Sequence, residues 1–226
     1  MALRNRRTVM QLPMRVWDLP TRLFHWAIVL LIPASYISAK TGHLDLHIRF
    51  GIAMLALLLF RLAWGFVGSD TSRFARFLTS PAAGLRHLAT WRRREPDTQV
   101  GHNAAGGWMV LLMLLLLALQ VSTGLFANDG LGVTEGPLAH HISGHLSDLL
   151  SLVHAVTFKL IFAAIVLHLI AIGVYATVKR QDLVRPMVTG KKRLPAATRA
   201  PRMASSLLAL LLLVAAAAVA VVATRL

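Results

Sequence analysis

The sequence contains no cysteine, and only nine of its 226 residues are acidic. The first absence excludes disulfides, iron–sulfur clusters, thiol catalysis and any cofactor tethered by thioether bonds. The second, set against 24 lysines and arginines, leaves a formal charge of +15. A nucleic-acid ligand is the obvious reading of such a charge. The cations, however, sit between long apolar runs, where they act as topology signals. Hydrophobic residues make up 56% of the chain and the mean hydropathy is +0.63. Those values exceed an ordinary soluble domain and imply several membrane spans.

Five runs are long enough to cross a bilayer: about Leu23–Ala39, Leu46–Gly68, Ala104–Phe126, Ser151–Val178 and Ala204–Ala223. Their composition predicts an all-α integral membrane bundle. The last run is a low-complexity Ala/Leu/Val stretch with no ligand to offer, so it reads as a packing or anchoring helix. The chain thus divides into a basic tail (1–22), a four-span core (23–178), a basic loop (179–203) and a C-terminal transmembrane helix (204–226). The connection 69–103 interleaves arginines with apolar side chains and reads as an interfacial amphipathic segment broken at Pro81 and Gly84. Nineteen of the 24 basic residues fall in the N-tail, in 69–103 and in 179–203. The positive-inside rule therefore places these in the cytoplasm, with the N-terminus inside and the C-terminus outside. No short apolar core with a small-residue cleavage site follows the basic start, so 1–22 reads as a retained tail.

Within the apolar runs, ionisable residues are rare and informative. His154 and His168 lie fourteen residues apart on the fourth run. In a helix that spacing rises about 21 Å and returns the side chain to within about 40° of its starting face. His47 and Arg61 share the same spacing on the second run, and His25 lies near the start of the first. Given the alternating direction of the spans, depth pairs His25 with His168 near the inner side and His47 with His154 near the outer side. Four imidazoles at two depths suit two bis-histidine haems. Zinc or copper would draw in carboxylates, cysteines or a third histidine, and the spans have no acidic residue. Arg22, Arg49 and Arg61 are candidate partners for haem propionates, because guanidinium pairs well with carboxylate. Gly51, Gly106, Gly107 and Gly124 offer places for a flat macrocycle to approach the backbone, or for helices to pack closely.

The strings RVWDLPTRLFHW (Arg15–Trp26), HIRFG (His47–Gly51) and GHNAAGGWM (Gly101–Met109), with the fourteen-residue histidine spacing, resemble the bacterial cytochrome b561 family. That family includes the b-type cytochrome subunit of membrane-bound Ni/Fe hydrogenases. The resemblance spans about residues 13–190. It implies a four-helix haem-binding core that carries electrons between quinone and a redox partner, with His25, His47, His154 and His168 matching the family's haem ligands. The expected setting is the bacterial inner membrane, with two b-type haems, quinone as substrate, and a c-type cytochrome or hydrogenase-like protein as partner. Whether the chain is itself an enzyme stays open. One rival is a self-contained superoxide:quinone oxidoreductase; another is a non-redox anchor or transporter whose histidines relay protons. His102 and Asn103 sit at the inner mouth of the third run, where His102 is a candidate quinone contact and a structural cap is the plainer reading. His43 and His87 read as interfacial. His140, His141 and His145 fall in the polar stretch Asn128–Leu150, which lacks Lys and Arg, and match no compact metal motif.

Overall fold

The computed structural model describes residues 10–130 and 133–225; Arg4, Arg6 and Arg7 of the basic tail lie outside them. Its elements are β1 (Gln11–Arg15), α1 (Leu19–Lys40), α2 (Leu44–Val67), α3 (Phe74–Phe77), α4 (Pro81–Ala89), α5 (Ala104–Gly124), α6 (Gly144–Val174), α7 (Val184–Thr189), β2 (Lys191–Pro195) and α8 (Ser206–Ala223). Five of these helices are long and apolar enough to cross a membrane. Successive spans alternate in direction. One end of the bundle carries β1, α3, α4, α7 and β2 and is called the basic end; the other is the loop end.

The helix limits follow from capping chemistry. Asp18 Oδ1 accepts from the Thr21 amide at 2.7 Å, and Pro20 sits in the first turn, where no intrahelical N–H is required. Helix α1 therefore starts at Leu19, four residues before the expected Leu23, and passes unbroken through Pro33. Ser143 caps α6, so that helix begins seven residues before the expected Ser151 and takes in His145 and Asp148. At its far end α6 continues as a π-helical turn, Tyr175–Lys179.

The interfacial segment is interrupted at Pro81 as expected, between α3 and α4, but not at Gly84. Pro81 opens α4 behind the Ser80 cap. Gly84 lies inside α4 and faces Trp108, whose ring a Cβ there would approach to 3.0 Å. The run read as a tail also has structure: β1 pairs antiparallel with β2, matching Leu12 to Leu194 and Arg15 to Lys191. Gly190, at φ +78°, makes the turn into β2, and a side chain there would meet the Trp17 carbonyl at 2.9 Å. Val16, Trp17 and Leu194 bury themselves under this ribbon.

Helix α2 is the hub, packing against α1, α5 and α8. Met54 and Leu58 meet Leu114, Leu117 and Val121 of α5. Phe60 and Trp64 meet Ala209 and Ala216 of α8. Lipid tails are as apolar as these side chains, so close packing and buried hydrogen bonds hold the interior together. Helix α6 runs closely beside α5, while its backbone stays clear of α1 and α2 apart from isolated approaches. Among the spans, α6 is thus set apart from the α1–α2 pair, and side chains bridge the opening, Tyr36 of α1 stacking on Phe158 of α6 with ring centroids 4.7 Å apart.

Candidate functional site

At the loop end the structure brings His47 of α2 and His154 of α6 together across that opening. Their ring centroids are 6.0 Å apart, with planes at 84°. His47 Nδ1 lies 2.9 Å from the Ser35 carbonyl oxygen, and His154 Nδ1 lies 2.9 Å from the Gln120 carbonyl oxygen. A carbonyl only accepts, so both Nδ1 atoms carry the proton and both Nε2 atoms keep a free electron pair. Backbone or carboxylate acceptors behind a histidine are the usual means of presenting its other nitrogen to a metal. Ser35 Oγ and Thr123 Oγ1 add second contacts, at 3.0 and 3.3 Å. The Gln120 amide nitrogen sits 2.9 Å from His154 Nε2 and donates to it, so ligation at this nitrogen requires the amide to withdraw.

At the basic end, His25 of α1 and His168 of α6 lie close enough to interact electrostatically. Here the notable feature is buried polar nitrogens without partners. Arg22 Nε, His25 Nδ1, Arg61 Nη1 and His102 Nδ1 are buried with no hydrogen-bond partner. Native interiors rarely leave such groups unmatched, and a bound group with acceptor oxygens is one standard explanation. Arg61 is 3% exposed and stacks its guanidinium over Phe74 at 5.2 Å. Arg22 donates through its other nitrogen to the Val188 carbonyl, and Trp26 Nε1 donates to the Met187 carbonyl at 3.2 Å. Through these contacts α7 is fastened over the start of α1.

The remaining candidates divide. Arg49 is exposed, on α2 half a turn beyond His47. His102 is not a cap: Asn103 takes that role, accepting from the Gly106 amide at 2.8 Å. The His102 ring instead lies between Trp17 at 4.7 Å and Phe77 at 4.9 Å. Burial, reinforced by the charges of Arg61, His168 and His25, pushes its imidazole down to about 3. Asn103 Nδ2 donates to the Tyr175 hydroxyl at 2.6 Å, which in turn meets His87 Nε2 at 2.7 Å. Burial and then the nearby Lys179 charge lower the His87 imidazole pKa. His43 is held by the Thr41 hydroxyl. His140, His141 and His145 are exposed, and no group of three or more metal-binding side chains forms among the described residues. Of the four glycines, Gly51 faces open space. A Cβ on Gly124 would meet the His154 ring at 2.8 Å, and one on Gly107 would meet the Phe77 carbonyl at 2.5 Å.

Sequence reasoning missed Asp18. It is 2% exposed and accepts from the Trp64 indole and the Ser72 hydroxyl, each at 3.1 Å, besides capping α1. A buried carboxylate is admissible only when so satisfied. Its signal in the sequence was an acidic residue immediately before an apolar run. Ser35, Gln120 and Thr123 were also missed; they are buried polar residues inside spans, which is itself a mark of function.

A membrane bundle whose helices hold paired imidazoles in its interior is the architecture of a membrane-bound redox carrier. A model of the family described as prokaryotic cytochrome b561 matches residues 16–190, and the chain belongs to that family. No curated protein and no solved structure matches it. The family makes the chain a multi-pass bacterial membrane protein, a b-type cytochrome of electron transfer that binds b-type haem.

Proposed function

We propose that the chain carries electrons across the bacterial inner membrane between the quinone pool and a periplasmic or membrane-bound redox partner, through two bis-histidine b-type haems. His47 and His154 hold the outer haem; His25 and His168 hold the inner one. The observation that carries this reading is the loop-end pair, two neighbouring imidazoles whose tautomers are fixed by backbone carbonyls so that each Nε2 keeps its electron pair for a metal, that of His154 once the Gln120 amide withdraws. The basic concentration at the opposite end favours the cytoplasmic side for that end, with the N-terminus inside and the C-terminus outside.

Each haem supplies one-electron chemistry when bound. The protein's part is to position and insulate. The apolar side chains of α2 and α5 keep water from the interior. Arg22 and Arg61 offer unmatched nitrogens for carboxylates at the inner site, whereas the exposed Arg49 lies about half a turn round α2 from His47 and is not aimed at the outer one. Quinone chemistry also moves protons. The Asn103–Tyr175–His87 hydrogen-bonded chain lies at the basic end, where such protons would be exchanged, and His102 stands beside the inner pair as the nearest candidate headgroup contact.

Haem per chain is the test. Acid acetone should extract two haems from each purified chain, because no cysteine can tether them. A ratio near one would overturn the two-centre reading while leaving family membership untouched.

A further inference from the structure

Residues 196–205, beyond the family match, link β2 to α8. This linker is pinned rather than loose. Asp70 N donates to the Arg202 carbonyl at 3.0 Å, Arg202 N returns a bond to Asp70 Oδ2 at 2.9 Å, and Ala204 N donates to Ser69 Oγ at 2.9 Å. Between linker and core lies a hollow of about 290 Å³ walled by Asp70, Arg76, Arg199, Pro201 and Arg202. It adjoins a second of about 320 Å³ that reaches His102.

Positive charge is in surplus there. Three guanidiniums face one carboxylate, and that carboxylate is already engaged. The Arg202 amide, aided by the charges of Arg76, Arg73 and Arg202, holds the Asp70 carboxyl below its usual range. Among the described residues the ion pairs are Arg73–Asp70 and Lys192–Asp97, so Arg76, Arg199 and Arg202 have none. Depth is fixed by the neighbouring helix ends: α2 stops at Val67, α5 starts at Ala104 and α8 starts at Ser206. The hollow therefore sits at headgroup level, and Phe66 and Val67 on the last turn of α2 are exposed apolar residues just inside that level.

We propose that this hollow binds the phosphate of an anionic phospholipid, with Arg76 from the core and Arg199 and Arg202 from the C-terminal extension as its contacts. Basic pockets between spans on the cytoplasmic side suit anionic headgroups, and guanidinium suits phosphate. The lipid fastens the extension, and with it α8, onto the four-span core. This inference depends on the membrane setting and on neither the haem count nor quinone.

The test is native mass spectrometry of the full-length protein, purified with its haem, mixed with phosphatidylglycerol, phosphatidylcholine or inorganic phosphate. The wild type should retain phosphatidylglycerol in preference to phosphatidylcholine by on the order of a hundredfold, about fivefold for each of the three arginines. The double variant Arg199→Gln/Arg202→Gln should bring that preference down to about fivefold, while Lys191→Gln/Arg193→Gln, on the exposed side of β2, should keep it. Arg76→Gln repeats the test from the core side should the first double variant fail to fold. Equal retention of the two lipids, equal loss in the β2 variant, or full displacement of the lipid by millimolar inorganic phosphate would each overturn the proposal.

Discussion

The two histidine pairs are built by opposite means. At the loop end, the Nδ1 atoms of His47 and His154 each have a carbonyl behind them, which fixes both tautomers, and the unmatched buried atom there, among the described residues, is Gln120 Oε1. At the basic end, His25 sits among buried polar atoms without partners, with Arg22, Arg61 and His102 close by. The rings of the first pair are oriented by protein atoms. The second stands beside guanidinium nitrogens left unmatched. The difference teaches that one bundle can set ligand geometry from behind at one depth, and leave charge in wait at another.

Seven substitutions, in four groups, test that contrast. The largest effect should come from the histidines. His47→Ala and His154→Ala should each remove one and the same b-type component, and His25→Ala and His168→Ala the other, as read by redox titration of the α-band. Loss of the same component from His25→Ala and His154→Ala would break the pairing by depth. Next in size is Asp18→Ala, which strands the Trp64 indole and Ser72 hydroxyl. Each stranded group costs about 1–3 kcal/mol, so thermal unfolding should occur at a clearly lower temperature, with the basic-end component lost before the loop-end one. Arg61→Gln comes third. A nearby cation favours an added electron, so its removal should lower the basic-end midpoint potential. A change of roughly 1 kcal/mol corresponds to about 40 mV for one electron, and the loop-end potential should stay where it was. The smallest effect is expected from Ser35→Ala. The carbonyl that orients His47 belongs to the backbone and survives, so the loop-end component should keep its spectrum and shift by only about 10–20 mV. A large shift would mean that the hydroxyl, rather than the carbonyl, sets the ring.

How far the sequence disclosed these sites depends on which atoms build them. The five spans were legible because runs of apolar side chains are a direct record of burial in lipid. The pairing of His47 with His154 was legible because helical rise converts residue number into depth. Span limits were less so. Asp18 and Ser143 extend α1 and α6 past their apolar runs by capping, which hydropathy does not register. The carbonyls of Ser35 and Gln120 could not be seen at all, since every residue has one and only the fold selects among them. The β1–β2 ribbon joins segments about 180 residues apart and shows no clean alternation, so no local pattern announces it. His102 was placed at a surface mouth by its position before a span; the aromatic rings of Trp17 and Phe77, which enclose it, arrive from distant parts of the chain.

His154 and His168 stand on one uninterrupted helix. Their separation is therefore a property of covalent chain and backbone hydrogen bonds, about 21 Å of helical rise, and not of how neighbouring helices happen to pack. A bilayer that thins or thickens tilts such a rod without stretching it. α6 thus serves as a ruler: membrane composition can change how the bundle leans, yet the spacing between the two histidine levels stays calibrated from within a single element.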